Sequence, residues 1–100
     1  MRPPRGARMK RLTDAELDAA LAGLDGWSVR GGKLHKEYEF ASFNEAFGFM
    51  ARAAMEIEKM DHHPEWANVY SRLTVDLVTH DAGGITANDA ELARRLDALR

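Results

Sequence analysis

One local pattern occurs three times in this chain and fixes most of its architecture. A Ser or Thr is followed three residues later by an acid, at TDAE (13–16), SFNE (42–45) and TAND (86–89). This is the capping box: the hydroxyl accepts from the backbone N–H three residues on, and the acid reaches back to the N–H of the capping residue. The acid also sits at the positive end of the helix dipole. Two of the three boxes add a hydrophobic staple across the entry, Leu12 with Leu17 and Ile85 with Ala90. Three helices are therefore predicted to start at these points.

The apolar periodicity carries each helix onward. The first is predicted over 13–24, with Leu17, Leu21 and Leu24 on one stripe and Asp25-Gly26 ending it. The third is predicted from Thr86 to the C-terminus, with Leu92, Leu96 and Leu99 inward. The second, over 42–60, is apolar on two flanks: Phe43, Phe47, Met50, Ala54 and Ile57 on one, Ala46, Phe49, Ala53 and Met60 on the other. Two apolar flanks need two packing partners. In so small a domain one of them is its own sheet, so we expect self-association through this helix. The competing expectation is that the first and third helices fill the second flank.

The intervals between helices read as strands. WSVR and KLHKEYEF flank Gly31-Gly32, a two-residue hairpin turn free to adopt positive φ. WANVYS and TVDLVTH form a second extended pair, with Arg72-Leu73 in or near the turn. DAGG (81–84) then leaves the sheet. At 100 residues the chain fits one domain with one modest core. The order α-β-β-α-β-β-α predicts an α+β fold, a four-stranded antiparallel sheet with three helices on one face.

Charge is unevenly spread. Residues 1–11 carry Arg2, Arg5, Arg8, Lys10 and Arg11 and no acid. Of fourteen basic residues nine remain for the rest of the chain, against sixteen acids, a net −7. A body so acidic repels phosphate backbones, which argues against direct nucleic-acid binding. Pro3, Pro4 and Gly6 predict a solvated, disordered basic tail over 1–11, leaving 12–100 as the domain, and Met9 is a second candidate start. No apolar run approaches the about 20 residues of a membrane span, no signal-peptide pattern is present, and cysteine is absent. Neither disulfides nor thiolate metal sites are available, and a cytoplasmic location is expected.

The chemistry concentrates in EKMDHHPEW (58–66). Pro64 disfavours helical geometry at His63, so the second helix must end near Asp61 and place both histidines on its exit. If the last turn persists to His62, Glu58 lies one turn beneath it and would orient the ring. His80 stands at the end of its predicted strand, beside the glycine loop. Local chemistry leaves three readings: a proton-transfer cluster near neutral pH, a zinc site with Asp61 or Glu58 as fourth ligand, or a helix cap and a solvated turn. The adjacent histidines lack the i, i+4 spacing of a helical metal pair, which weighs against zinc.

EKMDHHPEWANVY, followed by LTVDLVTHDAGGIT and then Asp89, resembles the signature of the pterin-4a-carbinolamine dehydratases. Glu58, His62-His63-Pro64, Tyr70, His80 and Asp89 fall at that signature's spacing, and FNEAFGFM (43–50) resembles the family's central helix. The resemblance covers about residue 11 to residue 100. It implies an enzyme with neither metal nor organic cofactor, dehydrating 4a-hydroxytetrahydropterins, the carbinolamines left by aromatic amino acid hydroxylases, to quinonoid dihydropterins.

By that resemblance His62, His63 and His80 form the catalytic cluster, with Glu58 supporting His62. His62 and His80 would lie near the departing hydroxyl and N5, and His63 with Pro64 would shape the pterin slot. Backbone of Asp61–His63 and of Val78, Thr79 and His80 would contact the ring, and Trp66 would wall the pocket unless, as an aromatic opening a strand, it is core packing. Asp89 fits the signature and is equally the acid of a capping box. The family also implies an alternative, a non-catalytic dimerisation or coactivator module, since animal members partner a homeodomain transcription factor through a helix face.

Overall fold

The computed structural model describes residues 9–100. The expected basic tail falls largely on residues 1–8, outside the described residues. The chain follows the predicted order: α1 (Asp14–Ala22), β1 (Ser28–Arg30), β2 (Lys33–Glu39), α2 (Phe43–Met60), β3 (Glu65–Val69), β4 (Arg72–Leu77) and α3 (Ala87–Leu99), with a 3-10 turn at His80–Ala82 before α3. The four strands make one antiparallel sheet in the order β1-β2-β4-β3.

The capping boxes at Thr13 and Thr86 are complete. At Ser42 only half the box forms: Ser42 accepts from the Glu45 N–H, while the Glu45 carboxylate reaches one residue further, to the Ala41 N–H at 2.9 Å. α1 ends at Gly23, two residues before the predicted Asp25-Gly26, and Leu24 drops into the core behind it.

The period-2 pattern of β2 and β4 sends Leu34, Tyr38, Leu73, Val75 and Leu77 to one face, where they meet Phe49, Ala53 and Ile57 of α2 and Leu92, Ala93 and Leu96 of α3. Tyr38 and Phe49 pack with ring centroids 5.0 Å apart. The opposite face stays polar, with His35, Asp76 and Glu65 in one row across β2, β4 and β3. Gly31 and Gly32 both take positive φ, 57° and 77°, as a two-residue hairpin turn between right-twisted strands requires.

Two strand boundaries differ from expectation. Arg72 and Leu73 belong to β4, and the turn is Tyr70-Ser71, with Tyr70 in the left-handed region at φ 53°. The Asn68 amide closes that turn by donating to the Tyr70 and Arg72 carbonyls at 3.0 and 2.9 Å. At the other end β4 stops at Leu77, so His80 opens the 3-10 turn instead of ending the strand. On α2 the buried residues are Ala46, Phe49, Ala53 and Ile57, while Phe43 and Phe47 are 53% and 57% exposed.

Candidate active site

The site is built where α2 ends. Asp61 takes the left-handed conformation (φ 51°, ψ 44°), its N–H donating to Glu58 O and the next N–H, of His62, to Ile57 O. This closes the helix in a Schellman-type turn. The reversal sends the two imidazoles in different directions. His62 turns inward and is 6% exposed, whereas the His63 side chain stays largely in solvent.

Inside, His62 Nε2 lies 2.5 Å from Asp89 Oδ1. Asp89 is fully buried in the first turn of α3. Its other oxygen accepts from the Thr86 backbone N–H and from the Thr79 hydroxyl, each at 2.8 Å. The Thr79 proton being spent on Asp89, the 2.7 Å contact between the Thr79 and Thr86 hydroxyls has Thr86 as donor. Every group facing the carboxylate on that side is a donor, so the carboxylate is the acceptor and Nε2 of His62 carries its hydrogen. A buried carboxylate is tolerated because charge-assisted bonds replace its water. Asp89 thus caps α3 with one oxygen and orients His62 with the other.

Glu58 does not hold His62. Its carboxylate lies 3.9 Å from His63 Nε2, both groups being exposed. The i, i+4 expectation fails because the helical path stops at Asp61, before His62. His80 bonds outward, Nε2 to Glu65 Oε2 at 3.0 Å, and the second oxygen of Glu65 takes Lys33 Nζ at 2.5 Å. Lys33, then His80, holds the Glu65 carboxyl below the usual carboxylate range, and the same bond to Glu65 raises Lys33. Each of the three histidines therefore faces a different acid. Among the described residues no three His, Cys, Asp or Glu side chains gather closely enough to hold a metal ion.

The remaining expected contacts are constrained by the backbone. The N–H groups of Asp61 and His62 close the helix, and that of Thr79 bonds Gly84 O at 3.0 Å. The Thr79 carbonyl is itself taken by the Ala82 and Gly84 N–H groups at 3.1 and 3.3 Å, and its buried hydroxyl by Asp89 and Thr86, so Thr79 supports the site through Asp89. Pro64 and Val78 are half-buried, and Trp66 packs partly buried against the core. Sequence reasoning missed Glu65. Its pairing with His80 spans fifteen residues and a strand reversal, and no local periodicity signals it.

A family model for pterin 4 alpha carbinolamine dehydratase matches residues 10–99. A relative from Solibacter usitatus, named for that dehydratase, is 60% identical over 89 residues, covering 89% of this chain and 94% of its own. One from Rhodopseudomonas palustris, similarly named, is 55% identical over 93 residues, covering 91% of this chain and 92% of its own. A crystal structure of a transcriptional coactivator/pterin dehydratase from Brucella melitensis superposes with a TM-score of 0.87 at 47% identity, covering 90% of this chain and 98% of that one. With the family model, the relatives and the superposed structure agreeing across nearly the whole length, this chain belongs to the pterin 4 alpha carbinolamine dehydratase family.

Proposed function

We propose that this chain dehydrates 4a-hydroxytetrahydropterin to quinonoid dihydropterin and water by imidazole acid/base catalysis. In this step the C4a–O bond breaks with its electron pair on oxygen. One imidazole delivers a proton to the departing hydroxyl, so that water leaves. A second takes the N5 proton, and the N5–H pair becomes the N5=C4a bond. The two proton transfers balance, and solvent restores both groups. His62 and His80 are the proposed acid/base pair, and imidazole is the side chain suited to both duties near pH 7.

The observation that most supports this reading is the buried His62–Asp89 bond closed by Thr79 and Thr86. Such a network fixes ring orientation and which nitrogen carries hydrogen, which is what proton transfer needs and a mere helix cap does not. His63 and Pro64 are proposed to edge the pterin, with Asp61 and Val78 at its rim and Thr79 behind them, holding Asp89. Asp89 contributes through His62, and Trp66 supports the wall from the core side. No metal or organic cofactor is invoked. The reading places the reaction in the cytoplasm, with neither nucleic acid nor a membrane as partner.

Self-association belongs to the same proposal. Phe43 and Phe47 stand side by side on the exposed face of α2, centroids 5.7 Å apart, and a second copy of this chain is the proposed cover, giving a homodimer or homotetramer. That face also favours a second reading, a coactivator-type binding module, and the Brucella relative's name joins both roles.

The test is dehydration of a 4a-hydroxytetrahydropterin by chelator-treated protein. Wild type should accelerate it, and His62→Ala and His80→Ala should each lose at least about tenfold in kcat. Full activity in both variants would overturn the assignment. An inert protein that still associates through α2 would favour the binding module.

A further inference from the structure

We propose that Glu65 is the positioning residue of His80, fixing its ring so that Nδ1 is the atom left to exchange the substrate's proton. The inference rests on the catalytic reading of His80 given above.

The geometry begins at the sheet. Glu65 is the first residue of β3, directly after Pro64, and pairs across the ladder with Asp76 of β4. Its backbone is therefore fixed at the point where the His62-His63 exit joins the sheet. His80 follows the same β4 strand, on a turn pinned by the paired bonds between Thr79 and Gly84. One carboxylate thus ties the two segments that carry the proposed acid/base pair. Oε2 accepts from His80 Nε2, and Oε1 is held by Lys33 from β2, two strands away.

An isolated exposed ion pair does little. This one differs because both oxygens are engaged, Oε1 by Lys33 and Oε2 by His80, which restrains how the carboxylate can turn. A carboxylate accepts only, so the neutral imidazole must keep its hydrogen on Nε2, and its lone pair lies on Nδ1. Of the other charged groups on this face, Glu37, Glu39 and Arg72 lie further along β2 and β4, and Arg30, His35 and Asp76 stand nearer. The nearer three satisfy one another, with His35 Nδ1 on Asp76 at 2.9 Å and Arg30 on His35 Nε2 at 3.1 Å. Asp81, next to His80 in the turn, is exposed and adds charge only.

Two measurements test the proposal. Nitrogen-15 NMR of the His80 ring in the free protein, which needs no activity, should show the Nε2–H tautomer in wild type and a mixture in Glu65→Gln and Glu65→Ala. An unchanged His80 tautomer in both variants would overturn the inference. In kinetics, Glu65→Gln should lower kcat about tenfold, the scale of one hydrogen bond, with KM within about twofold. The same substitution in a His80→Ala background should cost nothing further, whereas with His62→Ala the losses should multiply. An equal loss with and without His80 would also overturn it. A wild-type protein without dehydratase activity would sink the functional reading alone, and the tautomer measurement would still decide the role of Glu65.

Discussion

Replacing Asp89 separates its two duties. In Asp89→Ala three donors lose their acceptor together: His62 Nε2–H, the Thr79 hydroxyl and the Thr86 N–H. A hydrogen bond to a charged group contributes about 1.5–3 kcal/mol net, and three sharing one carboxylate do not add. Breaking such a buried network costs about 3–5 kcal/mol, against a total stability of about 5–15 kcal/mol for a domain. At about 4–8 °C per kcal/mol the melting temperature should fall by about 12–40 °C.

Asp89→Asn keeps the shape. Its carbonyl can still take the Thr86 N–H and the Thr79 hydroxyl, which turns the amide NH2 toward His62. That contact survives only if His62 moves its hydrogen to Nδ1. Stability should therefore fall by less than about 2 kcal/mol, the scale of one altered bond, while kcat falls at least about tenfold through the wrong tautomer. Thermal and urea unfolding followed by circular dichroism, with nitrogen-15 NMR of the His62 ring, measure both effects. An alanine variant melting near wild type would refute the reasoning, as would an asparagine variant with unchanged tautomer and activity.

Two further outcomes follow from the fold. Phe47→Asp should convert an assembled wild type into the 11.2 kDa monomer in sedimentation at micromolar concentration, and a wild type already monomeric would refute the packing of α2 on a second copy. Tyr38 is buried and donates to Asp97 at 2.5 Å, and burial, with that bond, pushes its ionisation far above the ordinary value. Because the folded value lies above the unfolded one, the contribution is complete below about pH 10 and is lost as pH rises beyond it. Urea midpoints from pH 9 to 11.5 should therefore drop more steeply in wild type than in Tyr38→Phe, and parallel curves would contradict this.

What the sequence made legible was local. Thr13 with Glu16, and Thr86 with Asp89, announce their helices because a cap uses residues three apart, and Gly31-Gly32 announces its hairpin because positive φ favours glycine. The β3–β4 turn was misplaced because it rests on Tyr70, an unusual residue for the left-handed region, held by the Asn68 amide. The site was half legible. The exit at Pro64 locates His62 and His63, but the partner of His62 lies 27 residues away on another helix. Local spacing could offer only Glu58, and the left-handed Asp61 removes that option by turning His62 inward. Asp89 looked like a cap, and is one. Its second oxygen carries the pairing that no periodicity announces.

The most direct test of the central claim is a crystal structure with a bound dihydropterin analogue. The ring should be seated against the helix exit, with N5 within hydrogen-bond reach of one of His62 and His80, C4a facing the other, and Pro64 at its edge. A ring bound elsewhere, or one touching neither imidazole, would contradict it.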